Sequence, residues 1–141
     1  MGCSSDTDSF LLNGELKFVS FNAQRFDENA ANPYTPAAYS WPSTFPEHEE
    51  YLRSELQRLL SLLNMKTSVF NIETRVASNG KPYIMECTPR GGGNRLCEML
   101  RYATGVDLIT AQVRAAVGDL VEGVEQKPYN SHWAEIILHA D

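Results

Sequence analysis

Two glutamates, Glu73 and Glu86, stand on either side of Asn79-Gly80, a favoured hairpin dipeptide. If Asn79-Gly80 is a two-residue loop, Ser78 faces Lys81, Arg75 meets Ile84, Glu73 meets Glu86 and Asn71 meets Thr88. Side chains alternate along a strand, so Asn71, Glu73, Arg75, Glu86 and Thr88 share one face. Phe70, Ile72, Met85 and Cys87 share the other, which is apolar and suited to packing under helices. Directly opposed glutamates place their Cβ atoms ~5 Å apart. Their charges repel by roughly 3 kcal/mol at an effective dielectric of about 20, and by about 1 kcal/mol or less in open water. A divalent cation converts that repulsion into a site. Hard cations such as Mg²⁺ take oxygen ligands, commonly one or two carboxylates together with substrate phosphates. A solvated sheet face bearing two unrelated glutamates satisfies the same spacing.

Asn71-Ile72-Glu73, followed by Gly80, Tyr83, Glu86, Thr88-Pro89-Arg90 and Gly92, resembles the magnesium-binding hairpin of the ATP-grasp superfamily. That superfamily includes biotin carboxylase, carbamoyl phosphate synthetase and D-alanine–D-alanine ligase. The downstream run Ala103-Thr104-Gly105-Val106-Asp107-Leu108 is similar to the segment that follows the hairpin there. The likeness covers residues 68–119 closely and residues 9–67 in outline. It implies that Glu73 and Glu86 are the acidic ligands bridging Mg²⁺, or Mn²⁺, to the phosphates of ATP. Arg90 takes the place of an arginine that steadies phosphate or an acyl phosphate, and Asn71 that of a polar residue before the first acid. Thr88 departs from the pattern, which has asparagine at this metal-binding position; its hydroxyl is placed to reach the metal or a water on it, so Thr88 joins Glu73 and Glu86 in the implied metal set. Arg75, on the same face, is placed to touch phosphate or to form a structural salt bridge. Gly91-Gly92-Gly93 either lets the backbone approach a ligand or simply leads into a helix.

The resemblance further implies an ATP- and magnesium-dependent ligase that activates a small-molecule carboxylate as an acyl phosphate for attack by an amine or similar nucleophile. This chain then corresponds to the C-terminal subdomain alone. Phosphate-binding lysines, a flexible glycine-rich loop and the adenine hinge belong to an N-terminal part of the same parent chain, and Lys17, Lys66 and Lys81 stand in other contexts. The fragment is expected to be inactive alone. Two further readings use the same residues: a non-catalytic binding domain that keeps the fold, favoured by Thr88, and an ATP-grasp kinase or phosphotransferase. A glycine-rich loop and phosphate lysines upstream would exclude the first of these.

The surrounding elements must hold that hairpin. Ser9–Arg25 reads as two strands about Asn13-Gly14, and Asp27–Ser43, with Pro33, Pro36 and Pro42, as a long loop. A helix is predicted from Phe45 to Asn64, capped by Ser43 or Thr44, with Pro46 in its first turn and Glu47, Glu49 and Glu50 at the positive end of its dipole. Leu52, Leu56, Leu59, Leu60 and Leu63 recur at helical spacing and form its core face. Strands follow at Val69–Val76 and Pro82–Thr88. A helix over Arg95–Ala103 turns Leu96, Met99, Leu100 and Ala103 inward and stops at Gly105. Asp107 caps another that runs to Val117 and ends at Gly118; Val121–Ser131 is a loop and Trp133–His139 the last strand. The expected fold is α+β, a single domain over residues 1–141: an antiparallel sheet with helices packed on its apolar face and the acidic face open.

The bulk numbers agree with one globular domain. The chain has 141 residues, 43% of them apolar and 21% charged. A net charge of -6 argues against general nucleic-acid binding, which needs a basic face to displace phosphate counterions. No apolar run reaches the ~20 residues of a membrane span, and no signal peptide opens the chain. Cys3, Cys87 and Cys97 form no Cys-x-x-Cys pair, so neither a disulfide framework nor a zinc site is expected and a reducing cytoplasm is the simplest compartment. His48, His132 and His139 read as structural or solvated, and Ser4, Ser5 and Asp6 have no base nearby in sequence for a nucleophilic triad.

Overall fold

A computed structural model of the protein describes residues 3–138. Met1, Gly2 and His139, the expected end of the last strand, lie outside the described residues. The elements in chain order are β1 (Cys3–Leu12), β2 (Glu15–Val19), β3 (Ala23–Phe26), β4 (Pro36–Trp41), α1 (Pro46–Leu62), β5 (Ser68–Val76), β6 (Pro82–Thr88), α2 (Leu96–Thr104), α3 (Leu108–Val117) and β7 (Trp133–Ile136). The strands form one antiparallel sheet in the order β6-β5-β1-β3-β4-β7, with β2 also paired to β1. β1 is the central strand. One edge pairs with β5 from Cys3 to Leu11, and the other is shared by β2 and β3.

Strand alternation divides the core in two. Leu11, Phe70 and Ile72 point to the face covered by α1, whose Leu52, Leu56 and Leu60 are buried at the four-residue spacing of one helix face. Phe10, Phe18 and Val69 point the other way, under Leu96 and Leu100 of α2 and Leu108 and Ala111 of α3. The antiparallel sheet and the helix on its apolar face are as expected. α2 and α3 close one end of the opposite face, and the remainder of that face carries Glu73 and Arg75. Among the described residues no helix is long and apolar enough to cross a membrane.

Several boundaries differ from the sequence reading. β1 begins at Cys3, six residues before the expected Ser9, because Ser4, Ser5, Thr7, Asp8 and Ser9 are polar yet buried in the sheet, with Asp6 half-buried among them. The segment read as one strand over Leu16–Phe21 ends at Val19, and β3 starts separately at Ala23. The loop over residues 27–43 contains β4, whose Pro36, Ala37 and Ala38 carry little strand propensity but pair with β3 and β7. The last strand is shorter than expected, ending at Ile136. α1 lacks a side-chain cap. Phe45 is its N-cap, while the Ser43 hydroxyl accepts from the Phe45 N–H at 3.2 Å and donates to Glu49 at 2.6 Å. Leu63 lies beyond the helix and is 60% exposed. Asp107 caps α3 as expected, accepting from the Thr110 N–H at 2.9 Å, and Gly105 and Gly118 end their helices in the left-handed region.

The burial of α1 generates the first prediction. Leu56→Ala removes a fully buried side chain, so chemical denaturation should show a loss of roughly 2–5 kcal/mol. Leu63→Ala, at the exposed end, should stay within about 0.5 kcal/mol of the parent.

Candidate functional site

The β5–β6 hairpin does not turn as a two-residue loop. Ala77 N–H donates to Lys81 O at 2.9 Å and Gly80 N–H to Ala77 O at 2.9 Å, leaving Ser78-Asn79-Gly80 as a three-residue loop with Gly80 at φ +77. Such a loop pairs a type I turn with a left-handed residue that glycine supplies without strain. Near the turn the register is therefore one residue off the expected ladder: Arg75 faces Tyr83, not Ile84, and Thr74 faces Ile84. A bulge at Met85 then restores the expected pairing, with Glu73 opposite Glu86 and Asn71 opposite Thr88. The bulge also turns Met85 outward, 58% exposed, where the apolar face was expected. Ile84 packs toward α1 instead.

β1 extends this row. Asp6 pairs with Glu73 and Asp8 with Asn71, so Asp6, Glu73 and Glu86 lie in line across three neighbouring strands. Asp8, Asn71 and Thr88 form the adjoining row. The sequence reading passed over Asp6 and Asp8 because β1 was started too late. The usable signal was the alternation Ser4, Asp6, Asp8, Phe10, which continues the face of Val69, Asn71, Glu73 and Arg75.

Hydrogen bonds set what each side chain can offer. Both oxygens of Asp6 are engaged: Oδ1 accepts from Asn71 Nδ2 at 2.8 Å and Oδ2 from the Tyr39 hydroxyl at 3.1 Å. Asn71 Nδ2 also reaches Thr7 O and Asp8 Oδ1, each at 3.2 Å, which leaves its Oδ1 as the atom to present to a ligand. Burial and the Asp6 charge push the Tyr39 phenol up to about 12, so it remains a donor at neutral pH. Glu73 is raised above its ordinary value by burial first, then by Asp6 and Glu86; Arg75 offsets part of this. Thr88, at the β6 end of the second row, holds its hydroxyl 3.5 Å from Asn71 O. Arg75 donates from Nε to Ser4 Oγ at 3.2 Å. Arg90 is exposed and, among the described residues, its side chain bonds its own loop, Nη1 to Gly91 O at 2.9 Å. Glu98, a conceivable partner for Arg90, is paired with Arg95.

Beside this face, a cavity of about 930 Å³ is lined by Ser4, Gln24, Arg75, Arg25, Phe26 and Tyr34. Ser4 and Arg75 stand one step further along the face from Asp6 and Glu73. Gln24 is 7% exposed and its Oε1 has no hydrogen-bond partner. Among the described residues no three His, Cys, Asp or Glu side chains converge to hold a metal ion by themselves. The donors that do face each other, Glu73 and Glu86, are hard oxygens of like charge with no salt bridge among the described residues. That set fits a cation such as Mg²⁺, which commonly binds one or two carboxylates and completes its shell with water and phosphate.

No family model matches the chain. It is 32% identical over 123 residues to carnosine synthase 1 from Homo sapiens, a match spanning 83% of this chain and 14% of that protein. The fold is shared with an L-amino acid ligase from Bacillus licheniformis (TM-score 0.72, 20% identity, 84% of this chain and 30% of that one). It is shared also with biotin carboxylase from Campylobacter jejuni (TM-score 0.76, 14% identity, 96% of this chain and 29% of that one). The architecture is that of the C-terminal subdomain of the ATP-grasp fold.

The raised Glu73 carboxyl has a definite sign. Folding disfavours its ionised form, so the protein gains stability as pH falls through the raised folded value toward the ordinary 4.5, and loses it as pH rises. Without divalent ions, Glu73→Gln should therefore melt higher than the parent at neutral pH. The difference should shrink across that interval on acidification. Added Mg²⁺ should raise the parent's melting temperature alone. A difference independent of both pH and Mg²⁺ would exclude a charged pair at this position.

Proposed function

We propose that this chain supplies the metal- and phosphate-binding hairpin of an ATP- and Mg²⁺-dependent ligase of the ATP-grasp type. The observation that carries the proposal is the opposition of Glu73 and Glu86 on an exposed sheet face, next to Asp6 and with no salt bridge among the described residues. Support comes from the shared fold and from the likeness to carnosine synthase 1. Because the chain spans 14% of that protein, the complete activity belongs to a longer parent, and the N-terminal subdomain would supply the other wall of the nucleotide site.

In this reading Glu73 and Glu86 hold Mg²⁺, which when bound neutralises charge on the phosphates. Asn71 Oδ1 and Arg75 flank the same face, and the cavity beside Arg75 receives the remainder of the nucleotide. Arg90 follows the end of β6 and donates to the oxygens of phosphate or of an acyl phosphate made from a small carboxylate substrate. Its planar fork can give two parallel hydrogen bonds, whereas lysine gives a point charge. Positioning supplies much of phosphoryl-transfer catalysis, so one wall of the site does not suffice. The alternative of a non-catalytic domain draws on one feature, the Thr88 hydroxyl turned toward the Asn71 carbonyl where the family pattern places a metal-binding asparagine.

Three outcomes are expected. The 141-residue protein binds Mn²⁺, detected by water-proton relaxation, and Glu86→Gln abolishes the binding; retention in the variant would remove the carboxylate pair from the proposal. The same protein releases no ADP from ATP at an enzymatic rate. In the longer parent, Arg90→Lys lowers turnover by at least about tenfold, equivalent to ~1.4 kcal/mol, with an unchanged thermal melt and a smaller effect on ATP affinity. An unaltered turnover number would take Arg90 out of the site.

A further inference from the structure

The glycine segment after β6 is fastened to the sheet at a buried carboxylate. Asp8 is fully buried and accepts from three donors: Gly92 N–H at 2.7 Å, Asn71 Nδ2 at 3.2 Å and Cys97 Sγ at 2.8 Å. Two residues on, Asn94 Nδ2 reaches the Tyr39 hydroxyl at 3.4 Å, and that hydroxyl donates to Asp6. The segment is thus tied at Gly92 and again at Asn94, while the Arg90 side chain, just before the first tie, holds its own loop through Gly91 O. Gly92 lies so close that an added Cβ would sit 2.6 Å from Asn71 Nδ2, 2.6 Å from Leu96 Cδ1 and 3.0 Å from Asp8 Oδ1. Only a residue without a side chain permits the approach that the Asp8 bond requires.

We propose that Asp8 is a positioning residue that pins Gly92 to β1 and so sets where Arg90 stands relative to the Glu73–Glu86 row. This rests on the reading of Arg90 as a phosphate ligand. The chemistry of the node explains the residue type. Three donors converge on one side chain, and a carboxylate has acceptors for all of them. Gly92 and Asn71 share Oδ1 while Cys97 takes Oδ2, so a side chain without acceptors leaves all three donors unpaired in the interior. The thiol does not compete for the negative charge, since burial, followed by the Asp8 charge and their hydrogen bond, raises Cys97 far above the ordinary thiol range. It remains S–H and donates. Alanine at position 8 should therefore release Gly92 while leaving the backbone pairing of β1 intact.

The test uses the 141-residue protein, amide hydrogen exchange read by NMR, and magnesium pyrophosphate as the phosphate probe. In Asp8→Ala the Gly92 amide is expected to exchange at least tenfold faster, with the β1–β5 amides unchanged. The Arg90 Nε resonance, which shifts with the probe in the parent, should cease to respond, while Mn²⁺ binding persists. Gly92→Ala, which lifts the loop with Asp8 intact, should reproduce both effects and serves if Asp8→Ala does not fold. Unchanged Gly92 protection, acceleration spread evenly over the domain, or an Arg90 response preserved in both variants would each overturn the proposal. If the parent's Arg90 ignores magnesium pyrophosphate while Gly92 is released as expected, the phosphate role of Arg90 fails and the Asp8–Gly92 tie stands as a structural one.

Discussion

The backbone pairing of β5 and β6 forces two carboxylates to face each other, and much of the molecule is arranged around that unfavourable contact. Like charges at this separation repel by a few kcal/mol unless water screens them, which is why Glu86 remains exposed and Glu73 only partly covered. The third carboxylate in line, Asp6, is treated differently. Its oxygens are occupied by Asn71 and Tyr39, so its charge is spread into hydrogen bonds and it cannot turn toward a cation without breaking them. A sheet face with one satisfied and two unsatisfied acids is poised for a ligand that brings positive charge from outside.

The two apolar clusters make this tolerable. α1 and its leucines anchor β5 and β6 from below through Phe70, Ile72 and Ile84, while α2 and α3 hold β1 and β5 from above at Phe10 and Val69. The strands that carry the acids are therefore fixed at points away from the acids. Stability gained in the core offsets what the polar face loses, a division common where binding residues are held in unfavourable surroundings.

Much of this was legible in the sequence, but unevenly. α1 and α3 announced themselves through leucine spacing, Pro46 and the Asp107 cap, all of which act within a turn or two of chain. The opposition of Glu73 and Glu86 was reached from a two-residue turn that the hairpin does not make; the bulge at Met85 offsets the longer turn and leaves the acids paired. β4 was not legible, because Pro36-Ala37-Ala38 form a strand only by virtue of β3 and β7 on either side. Nor was the network of Asp6, Asp8, Tyr39, Asn94 and Cys97, whose members lie far apart in the chain and meet only after the sheet is assembled. Ser43 shows the limit of local rules: a good capping residue in the right place gives its hydroxyl to Glu49 instead.

The bulge at Met85 has a consequence for how this hairpin can change. A strand face repeats every two residues, so each added or deleted residue flips all side chains beyond it. The three-residue turn and the bulge are two such flips, and between Glu73 and Glu86 they cancel. Turn and bulge are thus coupled in parity. A tighter two-residue turn over Asn79-Gly80, pairing Ser78 with Lys81 while the bulge stayed, would bring Cys87 opposite Glu73 in place of Glu86; losing the bulge as well would restore the two acids. Turn register and bulge can therefore change only together if the acids are to stay opposed.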